Sequence, residues 1–481
     1  MSITIQPGIL IRVNELALKS DRKQRFFVDS FISSLKDAFS RNGFLDFNII
    51  QFGHSIFVEH DTPESLVHVL KKVPGVELFA ITSSFKFESL EDILSTAFPL
   101  VKDLLSDKTF RVTARRFGKH DFSSMSLAIK LGEKLMDFSA GVDLHTPDVV
   151  VFTEVRNHTC FVHTSWNDGL GGMPAGSSGK ALVLFSGGID CPVAMYQMLR
   201  KGCFIDSVFI NMVGESARNE VFSVYNHIID SFSYSYTPKM FEVDARDLPS
   251  LLKEVPNTLR QQALKIVYYL LAKVLLKKSG SWALVTGESL SQKSTQTIQS
   301  LNMIQELTSP VLVLRPLITY DKKEIVEIAR EIGTFSASEK VKEQCNISTG
   351  KVTAVPHPKD FEKIPDLSSI VDKLLEKTIV YNGLIPLEMV SPEVSSLPDN
   401  SFVVDIRNSS RVLKKPIDSD LAIVYPDVLN EDSFFIDKNK TYVFVCQFGV
   451  LGKEVAHVFK KKGFNTIGFS VKEFSFLKKN T

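Results

Sequence analysis

The stretch ALVLFSGGIDCPVAMYQMLRKG, residues 181–202, decides how the chain is read. Five apolar residues run into Ser186, Gly187 and Gly188, and a helical pattern follows at once. A buried strand, a glycine turn and a helix in that order bring backbone N–H groups and the positive end of a helix together, where an anion is held well. Pro192 suits the first helical turn, in which the N–H it lacks would have no intrahelical partner. The GxxxxGK[ST] pattern is absent, so this is not a Walker loop.

Outward from this stretch, residues 181–376 alternate strand and helix. The strand candidates ALVLF, IDSVFI, MFEVDA, WALVT and VLVL are apolar without alternation, as parallel strands covered on both faces should be. A ligand at the glycine turn would then sit at the carboxyl ends of a parallel sheet. Before it, GILIRV, FNIIQFG and SIFVEH with one amphipathic helix over 21–39 form a small α+β unit, residues 1–60. The same texture continues through 61–166, and the turn-rich NDGLGGMPAGSSGK joins it to the next domain as a linker over 167–180. After SPEVSSLPDNS comes a further α/β unit within 377–481, with strands FVVDIR, YVFVCQ and NTIGFS and helix KEVAHVFKKKG.

The totals suit this multidomain α+β and α/β plan. The 481 residues are 44% hydrophobic and 23% charged, with formal charge +1, which argues against a uniformly basic coat but leaves room for a local basic patch. Five scattered cysteines with no CxxC pair fit neither a disulfide scaffold nor a zinc site, and point to a reducing, cytoplasmic setting. The histidines show no ligand spacing. The longest greasy helix candidate, IVYYLLAKVLL, is 11 residues with Lys273 inside, so no membrane span is expected.

SGGxD after an apolar strand resembles the PP-loop of the ATP pyrophosphatases. VTGESLSQKSTQTIQSLNMI followed by LRPLITYDKKEIVEIAREIGT resembles, closely and in order, the tRNA 4-thiouridine synthetase family. The resemblance implies a PP-loop domain of the adenine nucleotide alpha hydrolase type over 181–376, with ATP and Mg2+ as cofactors. It implies nucleotide contacts at Leu184, Phe185, Ser186, Gly187, Gly188, Phe209, Ile210, Gly287 and Gln296, and an acidic role for Asp190 near magnesium and pyrophosphate. Lys265 stands where the family usually has arginine, which keeps the charge and loses the planar fork.

KTFRVTARRFGKH, residues 108–120, holds five Lys/Arg and no acid. Such a run is either a solvated face or a phosphate-contacting patch, with Arg115, Arg116 and Lys119 close together on a turn after a strand. The text VDLHTPDVVVFTEVRNHTCFVHT resembles the family's THUMP domain, assigned to 61–166, and NELALKSDRKQRFF its N-terminal ferredoxin-like domain, assigned to 1–60. Asn14 and Ser20 replace glycines there. The resemblance implies a tRNA partner, gripped at its acceptor end.

Cys446 ends an apolar strand and opens CQFGVLGK, where backbone N–H groups and a helix start favour a thiolate. Taken alone it reads by default as a buried structural cysteine. With DIR ahead of it (Asp405, Arg407), the unit resembles a rhodanese-like α/β domain, although Gly452 and Lys453 depart from the usual loop. The resemblance implies a persulfide on Cys446, a pairing of Cys446 with Cys345, a cysteine desulfurase as sulfur donor and a thiol reductant. Cys160 and Cys203 read as core, and Cys191 as a substitution for the loop's usual serine. The expected activity is tRNA 4-thiouridine formation; sulfur delivery to the thiamine thiazole and an RNA-binding protein with a decayed ATPase are the alternatives. Whether the chain is a homodimer stays open.

Overall fold

The computed structural model describes residues 3–13, 21–53, 55–212, 214–293, 295–341, 357–387, 397–398, 400–407, 416–423, 428, 439–446 and 450–479. The chain divides into two compact units. One comprises Met1–Ser178 with Leu199–Cys203 and Tyr234–Tyr236, and the other comprises the remaining residues.

The first unit is built on one nine-stranded sheet. Its elements are β1 (Ile5–Val13), α1 (Asp21–Arg41), β2 (Asn48–Phe52), β3 (Ser55–Glu59), β4 (Val76–Lys86), α2 (Leu90–Val101), β5 (Thr109–Phe117), α3 (Ser124–Leu135), β6 (Gly141–Val142), β7 (Val149–Arg156), β8 (Thr159–His163) and β9 (Asn167–Asp168). The strand order is β2-β3-β1-β4-β8-β7-β5-β6, with β9 on β4. Strand β4 pairs antiparallel with β1 over its length and then with β8 through Ser83–Lys86. The first sheet therefore runs past residue 60, where the first domain was expected to end. A two-residue piece of the expected linker, β9, also joins it.

Strand alternation sorts this sheet's faces. Ile9, Ile11, Ile56 and Phe79 pack under α1, while Val151, Val155, Cys160 and Val162 pack under α2 and α3. Each of these later helices starts on a capping box. Ser89 accepts the Asp92 N–H at 3.2 Å while the Asp92 carboxylate accepts the Ser89 N–H at 2.8 Å, satisfying two donors the helix start leaves open. Residues of the opposite register, Leu10, Phe57 and Phe161, form a smaller cluster with Phe52 and Trp166.

The second unit carries β10 (Lys180–Leu184), α4 (Asp190–Arg200), β11 (Phe204–Asn211), α5 (Glu215–Phe232), β12 (Lys239–Asp244), α6 (Arg260–Ser279), β13 (Ala283–Val285), α7 (Ile298–Thr308), β14 (Leu312–Leu314), α8 (Lys322–Glu331), α9 (Ser368–Leu375) and β15 (Thr378–Asn382). These form a six-stranded sheet, order β14-β13-β10-β11-β12-β15. The first five strands are parallel, and β15 adds an antiparallel edge on β12. That edge lies beyond residue 376, the expected end of the domain. TIVYN is a five-residue half-exposed edge, too short and too polar at its ends to stand out from the helix before it. Helix α6 is apolar nearly all round, as a helix buried in the core must be, and ends at Gly280 in a left-handed cap.

The same unit includes a four-stranded parallel sheet of β16 (Ser401–Asp405), β17 (Leu421–Ala422), β18 (Thr441–Cys446) and β19 (Asn465–Ser470), order β17-β16-β18-β19. Among the described residues, helices α10 (Val450–Lys461) and α11 (Val471–Lys479) accompany it. Alternate residues of β16 and β18 feed two cores. Val404 and Phe444 meet Val455 and Phe459, while Val403, Val443 and Val445 meet Phe474 and Leu477.

Candidate active site

The turn between β10 and α4 opens a cavity of about 520 Å3 at the carboxyl ends of β10, β11 and β13. Leu184, Phe185, Ser186, Gly188, Asp190, Phe209, Ile210, Lys265, Gly287 and Gln296 all line it. Gly187 is the next residue in the turn, with φ +73° and Val221 about 3 Å from where a Cβ would stand, so only glycine fits without strain. A Cβ on Gly287 would come 2.9 Å from the Cys191 backbone nitrogen. The GES turn and the start of α4, distant in sequence, thus touch backbone to backbone because Gly287 lacks a side chain.

Inside the turn, Cys191 is buried, and its Sγ accepts the Ser186 N–H at 3.2 Å. Burial pushes the thiol's pKa up, only partly offset by Ser186. Asp190 opens α4, a favourable place for a carboxylate at a helix start, and pairs with Lys322. Lys322 is itself the first residue of α8, against the helix dipole, so this ion pair offsets an unfavourable local position.

The cavity floor holds a charge cluster that motif reading missed. Glu288, 5% exposed, lies 2.5 Å from Lys265 Nζ and 2.8 Å from Arg315 Nε, and it accepts from Tyr269 Oη at 2.6 Å and Thr286 Oγ1 at 3.0 Å. Burial alone would raise its pKa, but Lys265, Tyr269 and Arg315 outweigh that and hold it down to about 2. The signal available in the sequence was the glutamate of GES, a charged residue three positions after a wholly buried strand. Two more polar groups, Gln296 Oε1 and Ser338 Oγ, are buried on cavity-lining residues with no hydrogen-bond partner among the described residues.

The predicted basic trio is not one patch. Arg115 and Arg116 lie within β5, so they leave on opposite faces. Arg116 is tied to the Gly118 carbonyl at 3.3 Å, while Lys119 is exposed beyond the strand. The expectation of a turn after the strand failed because β5 runs three residues longer than TFRVTA. Arg115 instead shares the sheet face opposite α2 and α3 with Arg12, Glu154 and Arg156. Arg12 stacks 3.9 Å over Trp166, and Arg156 stacks 4.4 Å over Phe117.

Cys446 ends β18, 4% exposed, and its Sγ accepts the Gly452 N–H at 3.3 Å. Beside it, Arg407 grips Asp405 through Nε at 2.9 Å and Nη2 at 2.6 Å, both side chains buried. Cys345 and residues 447–449 lie outside the described residues.

Three family models match the chain: "Thiamine biosynthesis protein (ThiI)" over residues 176–369, "THUMP domain" over 87–164, and "ThiI ferredoxin-like domain" over 8–80. A tRNA sulfurtransferase of Colwellia psychrerythraea is 32% identical over 418 residues, covering 84% of this chain and 86% of that protein. One from Desulfurococcus amylolyticus is 29% identical, covering 95% of this chain and 96% of its own length. A probable tRNA sulfurtransferase of Saccharolobus islandicus is 34% identical, covering 79% and 99%. Among solved structures, a 4-thiouridine synthetase–RNA complex with bound ATP is 25% identical with TM-score 0.67, covering 78% of this chain and 99% of that one.

Proposed function

The chain belongs to the ThiI family of tRNA sulfurtransferases, and on that premise we propose that it uses ATP to replace the 4-oxygen of uridine 8 in tRNA with sulfur, giving 4-thiouridine. The observation that carries this reading is the single cavity in which the SGG turn, Asp190, Lys322 and Lys265 converge. Backbone N–H groups of the turn and the start of α4 suit a polyphosphate. Among the described residues no cluster of three or more His, Cys, Asp or Glu could hold a metal by itself. One carboxylate at a phosphate site, Asp190, fits Mg2+, which keeps waters and phosphate oxygens as its other ligands. The ion when bound supplies charge neutralisation on the phosphates.

In the reaction, O4 of the uridine attacks the α-phosphate of ATP and pyrophosphate leaves. The adenylated oxygen is then a good leaving group. A persulfide on Cys446, loaded by a cysteine desulfurase, attacks ring carbon 4 and AMP departs. Attack of the Cys345 thiolate on the Cys446 sulfur then releases the thiolated base and leaves a Cys345–Cys446 disulfide; alternatively, Cys345 first frees the sulfur as sulfide. A thiol reductant restores both thiols. The rhodanese-like reading of β16–β19 rests on the parallel sheet, the Asp405–Arg407 pair and the helix start that follows Cys446. The arginine and aromatic face of the first unit is the surface that would take the tRNA, since shape-led RNA recognition relies on backbone contacts and stacking.

Thionucleoside analysis of tRNA from cells carrying Asp190→Ala or Cys446→Ser tests the proposal. Loss of 4-thiouridine in both is expected, and unchanged 4-thiouridine in both would sink it. The description of the matched ThiI model favours one second reading, sulfur supply for thiamine. Thiamine dependence that follows Cys446 but not Asp190 would support that role.

A further inference from the structure

The geometry beneath the cavity assigns a task to Glu288. We propose that Glu288 is a positioning residue that holds the Lys265 ammonium so that one N–H faces a phosphate of the bound nucleotide. This rests on the reading of the cavity as an ATP site.

An ammonium has three N–H donors. The Lys265 ammonium forms an ion pair with Glu288 Oε1 at 2.5 Å and donates to the Thr295 carbonyl at 3.2 Å, while lining the cavity. A free lysine is a mobile point charge on four methylenes, and fixing it costs rotamer entropy at each binding event. Here the fixing is done in advance by a carboxylate that cannot itself turn. Glu288 lies three residues beyond the end of β13 and is tied on its other oxygen to Arg315 after β14, to Tyr269 one turn along α6 from Lys265, and to Thr286. Three elements of the cavity floor are cross-linked through one side chain. The carboxylate and its two cations sum to one net positive charge, so the floor stays attractive to phosphate without an unpaired buried charge. An arginine at position 265 would orient itself through its planar fork; a lysine needs this external clamp.

Equilibrium binding of ATP and of adenosine to the full-length protein separates this role from mere scaffolding. Adenosine lacks the phosphates, so a clamp on Lys265 affects the ratio of the two affinities. In Glu288→Ala the ATP-to-adenosine affinity ratio should fall about tenfold, the worth of one charge-assisted hydrogen bond, with adenosine binding unchanged within about twofold. Lys265→Met should show the same loss, and the double variant no further loss. Glu288→Gln keeps an acceptor for Lys265 and the shape of the floor, so it should fold and lose about threefold. An unchanged or raised ratio in a folded Glu288 variant would overturn the positioning role while leaving ATP binding intact. Equal loss of ATP and adenosine would likewise overturn it. If the wild-type chain bound no ATP at all, the nucleotide reading would fall, and the positioning role with it.

Discussion

The Sγ of Cys191 accepts the backbone N–H of Ser186 across the turn that forms the phosphate loop, five residues back in the chain. The sulfur does what a serine hydroxyl does in such turns, with a longer bond and a weaker acceptor. It also contacts Ser186 Oγ at 3.2 Å and points at the Gly188 carbonyl at 3.5 Å. Burial keeps it a thiol. We therefore expect Cys191→Ser to retain thiolation within about threefold, because the hydrogen bond is remade by a better partner. Cys191→Val, which strands the Ser186 N–H, should cost roughly 1–3 kcal/mol of stability. Denaturant unfolding of the two variants checks this, and an inactive but folded Cys191→Ser enzyme would give the sulfur a chemical role that the turn geometry does not.

The Asp190–Lys322 pair predicts a separation of activity from stability. Lys322 is half exposed, and exposed ion pairs contribute little to folding, about 0–1 kcal/mol. Both side chains nevertheless line the cavity. Lys322→Met should leave the melting temperature within about 2 °C of wild type while cutting ATP-dependent pyrophosphate release at least a hundredfold. A Lys322→Met protein with normal pyrophosphate release would remove Lys322 from the site.

Much of this site was legible because backbone constraints write themselves into the sequence. A glycine pair after a buried strand has few other uses, and the apolar parallel strands of the second unit need no partner to be recognised. What stayed hidden depends on tertiary approach. Glu288 is one glutamate among many until β14 brings Arg315 to it, and Lys322 looks like an ordinary solvated lysine at a helix start. The split of Arg115 from Arg116 turned on whether β5 ended three residues earlier. That was settled by pairing with β7 through Phe117–Arg156, and not by local propensity. The edge strand β15 was missed for a similar reason, since an edge is defined by the strand beside it.

Gly287 offers a sharper test of the backbone contact. Its missing side chain is what lets the GES turn lie against the start of α4, with Asp190 and Cys191 main-chain atoms 2.9–3.1 Å from the Cβ position. Backbone cannot yield as a flexible side chain can, so Gly287→Ala should push the two turns apart. We expect ATP affinity to fall at least tenfold, with a stability loss of about 1–3 kcal/mol. Gly280→Ala provides the contrast. Nothing lies within 4 Å of its Cβ position, so the cost there is only that of its left-handed φ of +71°, about 1 kcal/mol, with ATP binding unchanged. Similar ATP affinities for the two variants would contradict the contact.

His163 gives the first unit a defined response to acid. Its ring stacks on Phe152 at 4.9 Å and meets Trp166 edge-on at 4.6 Å, and Nδ1 donates to the Ser165 carbonyl at 3.1 Å. Nε2 is buried without a hydrogen-bond partner among the described residues. Burial pushes the imidazole pKa down from 6.5 to about 4, with Glu154 opposing and Arg12 reinforcing the shift. Between those values the unfolded chain binds a proton that the folded chain refuses. The stabilisation is thus complete above about pH 6.5 and is lost as the pH falls toward 4, amounting to roughly 3 kcal/mol across that window. His163→Gln should flatten this part of the stability–pH curve while other carboxylate-driven losses persist at lower pH. Denaturant midpoints at pH 7.5, 6, 5 and 4.5 for both proteins decide the point: parallel curves would mean that His163 takes up its proton at the same pH folded and unfolded, and that the ring's stacking between Phe152 and Trp166 tolerates the charge.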